Sequence, residues 1–234
     1  MKNHDCFFGT SPWNWKIVIK LLILVLVLVP IFIESLLKGY LTEVLQNDLY
    51  SGILTGFVMA ITFMFGLYFL AIKPENLSWQ EVGLRGFSPR YWKPIVTWTF
   101  AIIAIALVMI MVIELFLGIG SENSKTESLQ SRMTPLNFLI GFVSAAIISP
   151  IYEEIFYRGF LYRFLRSKYG VPVSMLASSF IFMTVHIPTY NTLLLNFVSG
   201  LIFAWTYEKT GSIVPAMIIH GTTNGIFIIL VALG

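Results

Sequence analysis

The sequence predicts an all-α, polytopic integral membrane protein with about seven transmembrane helices. Three observations predict it. Of 234 residues, 57% are hydrophobic and only 12% charged, with a mean hydropathy of +0.81, a balance outside that of soluble domains. The apolar residues fall in blocks of roughly 17 to 25, the length of helix that crosses about 30 Å of hydrocarbon at about 1.5 Å per residue. Between the blocks lie Gly, Pro and polar runs. Because lipid offers the backbone no hydrogen-bond partners, blocks of this length are read as helices.

The spans follow in order, at roughly 18–37, 51–72, 94–118, 134–167, 171–187, 190–208 and 212–233. Lysines precede LLILVLVLV in the first, but no small-residue cleavage site follows, so it is expected to be retained and not removed as a leader. KPENLSWQEVGLRGFSPRYWKP separates the second span from the third, and GSENSKTESLQSRMT the third from the fourth; both have the length of connectors. Gly170-Val171-Pro172 divides the fourth from the fifth. The chain is expected to divide into an N-terminal part, residues 1–133 with three helices, and a C-terminal helical core, residues 134–234. No soluble domain is expected.

Charge gives orientation. With seven spans, the N-terminus and the connections 2-3, 4-5 and 6-7 share one side, which, with Arg158 counted there, carries every Lys and Arg except Lys38, Lys125 and Arg132. That bias predicts a plasma membrane protein with a cytoplasmic N-terminus and an extracytoplasmic C-terminus. It also accounts for the net charge of +3, so no nucleic-acid partner is expected. Cys6 is the one cysteine, which excludes an internal disulfide framework and a Cys-rich metal site; it reads as a free thiol in an N-terminal tail that also holds His4. Asn76-Leu77-Ser78 matches a glycosylation sequon that this orientation leaves unused.

Against this background SPIYEEIFYRGF, residues 149–160, is anomalous, because charges inside a spanning helix cost about 2.5–3.5 kcal/mol each and mark function. Glu154 and Arg158 are four apart on one face and account for each other as a buried pair. Glu153 points about 100° away and needs another partner. His186 and His220 lie in apolar spans, and Glu153 and His186 stand about equally far from Gly170, so an antiparallel fold there brings them level. Counting inward from Arg163 and Ser212 puts Glu153 about 15 Å and His220 about 12 Å deep. Phe182 and Asn224 share helix faces with His186 and His220 respectively. Pro150 cannot donate to the carbonyl of Ala146, which predicts a bend before the glutamates.

E-E-x-x-x-R (Glu153, Glu154, Arg158), F-x-x-x-H (Phe182, His186) and H-x-x-x-N (His220, Asn224) resemble, in order, the motifs of the CPBP family of intramembrane proteases. That family, also called Abi, includes the type II CAAX prenyl endopeptidases and members tied to bacteriocin processing and immunity. The resemblance covers about residues 134–233 and extends to NFVSGLIFAWTYEKTGS. It implies a conical intramembrane site formed by the last four helices, and peptide-bond hydrolysis of a hydrophobic or lipid-modified peptide. In that scheme Glu153, with His186, activates water, and His220 with Asn224 forms the oxyanion site. Glu154 with Arg158 and Phe182 then supports the catalytic set.

No cofactor is expected. The alternative is zinc held by Glu153, His186 and His220 with the second glutamate as base, as in the metalloprotease description of the family. The residues alone also admit a proton-coupled carrier with Glu34 and Glu114 as relay groups, or a membrane scaffold that regulates another protein. Interfacial solvation explains Glu34 and Glu114 more simply, and a scaffold has no need of a complete acid-base set.

Overall fold

The computed structural model describes residues 7–118, 127, 128, 130, 131 and 133–233; His4, Cys6, Lys125 and Arg132 lie outside the described residues. The chain is helical, with no strand among the described residues. Helix α1 spans Trp15–Leu45 and includes a wide-turned i→i−5 stretch, Leu24–Leu37, that accommodates Pro30. The Asn14 side chain accepts from the Ile17 amide at its start, and Gln46, at φ 50°, ends it. Helix α2, Asp48–Ile72, opens on an Asn47 cap. Helix α3, Trp92–Leu117, stops at Gly118, whose φ of 62° glycine adopts without steric cost. Helix α4 comprises residues 135–169, begins on a Thr134 cap with Pro135 in its first turn, and ends at Gly170. There φ 76° and ψ 179° break the helix, and α5, residues 171–184, returns. Helices α6, Leu193–Thr210, and α7, Val214–Leu233, are separated by Gly211.

Five helical stretches are long and apolar enough to cross a membrane among the described residues: Trp15–Leu45, Asp48–Ile72, Pro89–Phe116, Pro135–Thr184 and Val214–Leu233. The expected seven treats the 50-residue Pro135–Thr184 stretch as two spans and adds the 18-residue α6. The outward faces are apolar, as lipid contact requires: Phe100 is 65% exposed and Leu115 76%. Polarity is turned inward, with Glu154, Arg158, Ser174, Ser178 and Ser179 fully buried. The protein is a polytopic membrane protein.

Two compact units are present. One gathers residues 1–12, 78–121 and 153–223; the other residues 13–77, 122–152 and 224–234. In the second, Gly66 lets α2 approach α1 so closely that a Cβ would lie 2.4 Å from a Leu24 methyl. The Trp13 indole donates to the Ala71 carbonyl at 3.0 Å, Tyr50 donates to Asn137 at 2.9 Å, and Phe63 meets Tyr152 edge-on. In the first unit, α5 packs along both the end of α4 and α6, where Gly200 faces Ser179. The polar connector after α2 folds a short helical turn, Trp79–Val82, against α4. A Cβ on Gly159 would stand 2.3 Å from the Val82 carbonyl oxygen. That neighbour is backbone and cannot step aside. Gly159→Ala is therefore expected to cost about 1–3 kcal/mol, read as a lowered thermal midpoint in detergent.

A second polar cluster ties this unit together away from the two glutamates. Glu208 accepts from the Tyr162 hydroxyl at 2.6 Å and from Arg166 at 3.2 Å. Arg163 donates to the Glu81 backbone carbonyl and pairs with its carboxylate at 2.7 Å. Phe7 is held between the Arg85 and Arg163 guanidinium groups, 3.7 and 3.8 Å from its ring centre, and Phe8 is buried against Tyr162 and Tyr207. These contacts fasten the segment before α1 to α4 and α6.

Candidate active site

The second glutamate of the pair is held in a fully buried ion pair. Glu154 and Arg158 begin a wide-turned stretch, Glu154–Tyr162, in which residues four apart stay on one face, and Oε1 of Glu154 accepts from Nη1 of Arg158 at 2.9 Å. Both side chains are fully buried. The guanidinium lies over the Phe182 ring at 4.3 Å and the Phe203 ring at 5.1 Å, one from α5 and one from α6. Two aromatic faces thus replace part of the solvation that burial removes. Gly200 makes this possible: a Cβ there would reach within 3.2 Å of Arg158 Nη2.

His220 of α7 completes the arrangement. Its Nδ1 donates to the same Glu154 Oε1 at 2.9 Å, since an ionised carboxylate only accepts. The bond fixes the ring, and the ring is further stacked on Phe203, 4.7 Å between centres and 18° from parallel. Nε2 is thereby directed at Glu153, whose Oε2 stands 3.8 Å away. That spacing is longer than a direct hydrogen bond and suits a group held between the two. Glu153 is the more open of the pair, its side chain 13% exposed against 0% for Glu154.

His186 sits where α5 ends. Its Nδ1 donates to the Phe182 carbonyl at 2.7 Å, so Nε2 is again the outward nitrogen. Phe182 touches both imidazoles edge-on, at 4.8 Å from His186 and 5.9 Å from His220, and packs on Tyr157. Asn224, one turn beyond His220, directs its amide nitrogen at the Ala145 carbonyl, 3.0 Å away. The side chains brought together are therefore Glu153, Glu154, Arg158, Phe182, His186 and His220. Sequence reasoning had matched Glu154 with Arg158 alone; the histidine on its other side comes from a separate helix and carries no signal in residue spacing. Phe203 was missed as well, although Gly200 three residues earlier on the same face marks a close approach to α6.

The zinc alternative requires three protein donors around one point, each about 2.0–2.2 Å from the ion. Among the described residues, no three His, Cys, Asp or Glu side chains are gathered closely enough to hold an ion.

Comparison with known proteins matches part of the chain. Residues 135–226 match the family model described as type II CAAX prenyl endopeptidase Rce1-like. That segment is similar to the Rce1-like family. It contains every residue of the three motifs. A Bacillus subtilis (strain 168) protein named "Putative membrane peptidase YdiL" is 30% identical over 132 residues, 56% of this chain. The chain spans about half of that relative, 53% of its length. No solved structure matches.

Proposed function

We propose that this protein is an intramembrane endopeptidase that hydrolyses a peptide bond by glutamate-activated water, without a metal. The observation that carries the reading is the bond between His220 Nδ1 and Glu154, which leaves Nε2 facing the Glu153 carboxylate at 3.8 Å. The Rce1-like match and the peptidase relative support it.

In this mechanism Glu153 takes a proton from water as the oxygen attacks the carbonyl carbon of the substrate. His220, in its protonated form and compensated by Glu154, donates from Nε2 to the oxyanion that develops. Collapse of the tetrahedral intermediate breaks the C–N bond, and Glu153 returns its proton to the departing amine. Atoms and charge balance with water as the only co-reactant. Phe182 and Phe203 exclude solvent around Arg158 and keep the Glu154 anchor rigid. His186, with Nε2 outward, assists in holding the attacking water.

The substrate we propose is a membrane-associated peptide, hydrophobic or lipid-modified near the scissile bond, reached from the side of the membrane that carries most Lys and Arg. That side is the cytoplasm, which places the N-terminus there and the C-terminus outside. The test is a comparison of membrane proteomes from cells producing the native chain and cells producing His220→Ala. Uncleaved precursors accumulating with His220→Ala are expected. Identical proteomes, with the native phenotype retained, would instead favour a scaffold.

A further inference from the structure

A proline inside a helix leaves one carbonyl without its donor, and the helix register decides which. In an α-helix Pro150 would orphan the carbonyl four residues back, at Ala146. Residues Ser144–Ile148, however, run in the wider i→i−5 ladder, where the Ser149 amide donates to the Ser144 carbonyl. The next rung of that ladder would join residue 150 to Ala145, and Pro150 has no hydrogen to make it. Pro150 therefore leaves without its donation not only the carbonyl of Ala146, four residues back, but also that of Ala145, five back.

The Ala145 carbonyl receives its donor from elsewhere. Asn224 Nδ2 on α7 meets it at 3.0 Å. Since a carbonyl only accepts, the bond also fixes which way round the amide lies. The neighbouring Gly225 permits the approach: a Cβ there would lie 3.0 Å from the Phe142 ring and 3.4 Å from the Ala146 side chain. Donor, orphaned acceptor and the glycine that lets the helices meet belong to one compact unit.

We propose that Asn224 is a positioning residue that supplies from α7 the hydrogen bond Pro150 removes from α4. It thereby fixes the turn of helix that leads, three residues after the proline, to Glu153. The catalytic consequence rests on the reading of Glu153 as base; the substitution of one donor for another does not.

A double-mutant cycle between Asn224→Ala and Pro150→Ala tests this on the full chain in detergent, with Pro150→Ser as the second background should Pro150→Ala fold poorly. Asn224→Ala is expected to lower the thermal midpoint by about 2–8 °C with Pro150 present, and by less than a third of that once residue 150 carries its own N–H. Hydrogen exchange adds a local readout: amides of residues 149–154 should exchange at least about tenfold faster in Asn224→Ala and return toward native rates in the double variant. Equal midpoint losses in the two backgrounds, or exchange unchanged in that turn, would overturn the proposal. In a cleavage assay the same cycle should show a kcat loss, with KM little changed, that Pro150→Ala largely repairs. A kcat loss of the same size in both backgrounds marks Asn224 as a direct oxyanion donor and overturns the positioning role. If neither native chain nor variants cleave while midpoint and exchange behave as expected, the peptidase reading fails and the capping role stands.

Discussion

Glu153→Gln is expected to lower kcat by about 10²- to 10⁴-fold, the range that a positioned general base contributes. Thermal stability should stay within about 2 °C of the native chain. The reasoning is local. Glu153 is the partly open carboxylate of the site, 3.8 Å from His220, and when it loses its charge the buried Arg158 keeps its direct partner Glu154. Glutamine keeps the shape and cannot take the proton. Steady-state cleavage by purified protein in liposomes, beside a melting curve in the same detergent, separates the two effects. A variant that cleaves at the native rate would remove Glu153 from the chemistry.

The largest expected effect on stability belongs to Arg158→Met. Glu154 and Arg158 are both fully buried, and the carboxylate also accepts from His220. Without the guanidinium, a buried carboxylate loses its charge partner, which costs about 3–5 kcal/mol. For a chain of this length that is a midpoint loss on the order of 10 °C. The paired change Glu154→Gln with Arg158→Met removes both charges together and is expected to recover most of the loss while remaining catalytically impaired. A single variant within 1–2 °C of native, or a double variant no better than the single, would contradict the role given to this pair.

Much of the fold was legible because lipid imposes simple rules. Apolar blocks of spanning length and Gly170 followed by Pro172 state their purpose in the chain itself. The pairing of Glu154 with Arg158 was legible for the same reason, since four residues on a helix make neighbours. What was not legible depends on register and on partners distant in sequence. Nothing in SAAIISP distinguishes an i→i−4 ladder from an i→i−5 ladder, because the same residues tolerate both. The commoner register points to Ala146 and gives no sign of Ala145.

The site was half legible. Its glutamates and histidines stood out as polar residues in apolar spans. Their pairing did not: counting depth sets Glu153, His186 and His220 at one level but cannot tell which glutamate takes which ring face. The answer turns on Phe203 and Gly200, which shape the wall of α6 against His220 and Arg158. An aromatic among many in a chain with 20 phenylalanines gives no sign of that role.

The central claim is that water, activated at Glu153, cleaves a peptide bond within the membrane. Purified protein in liposomes, given a lipid-modified or hydrophobic peptide in H₂¹⁸O, tests it most directly by mass spectrometry of the products. The account predicts a new carboxyl terminus carrying one ¹⁸O from the native chain, and no such product from Glu153→Gln. Labelled product appearing equally with both proteins would contradict it.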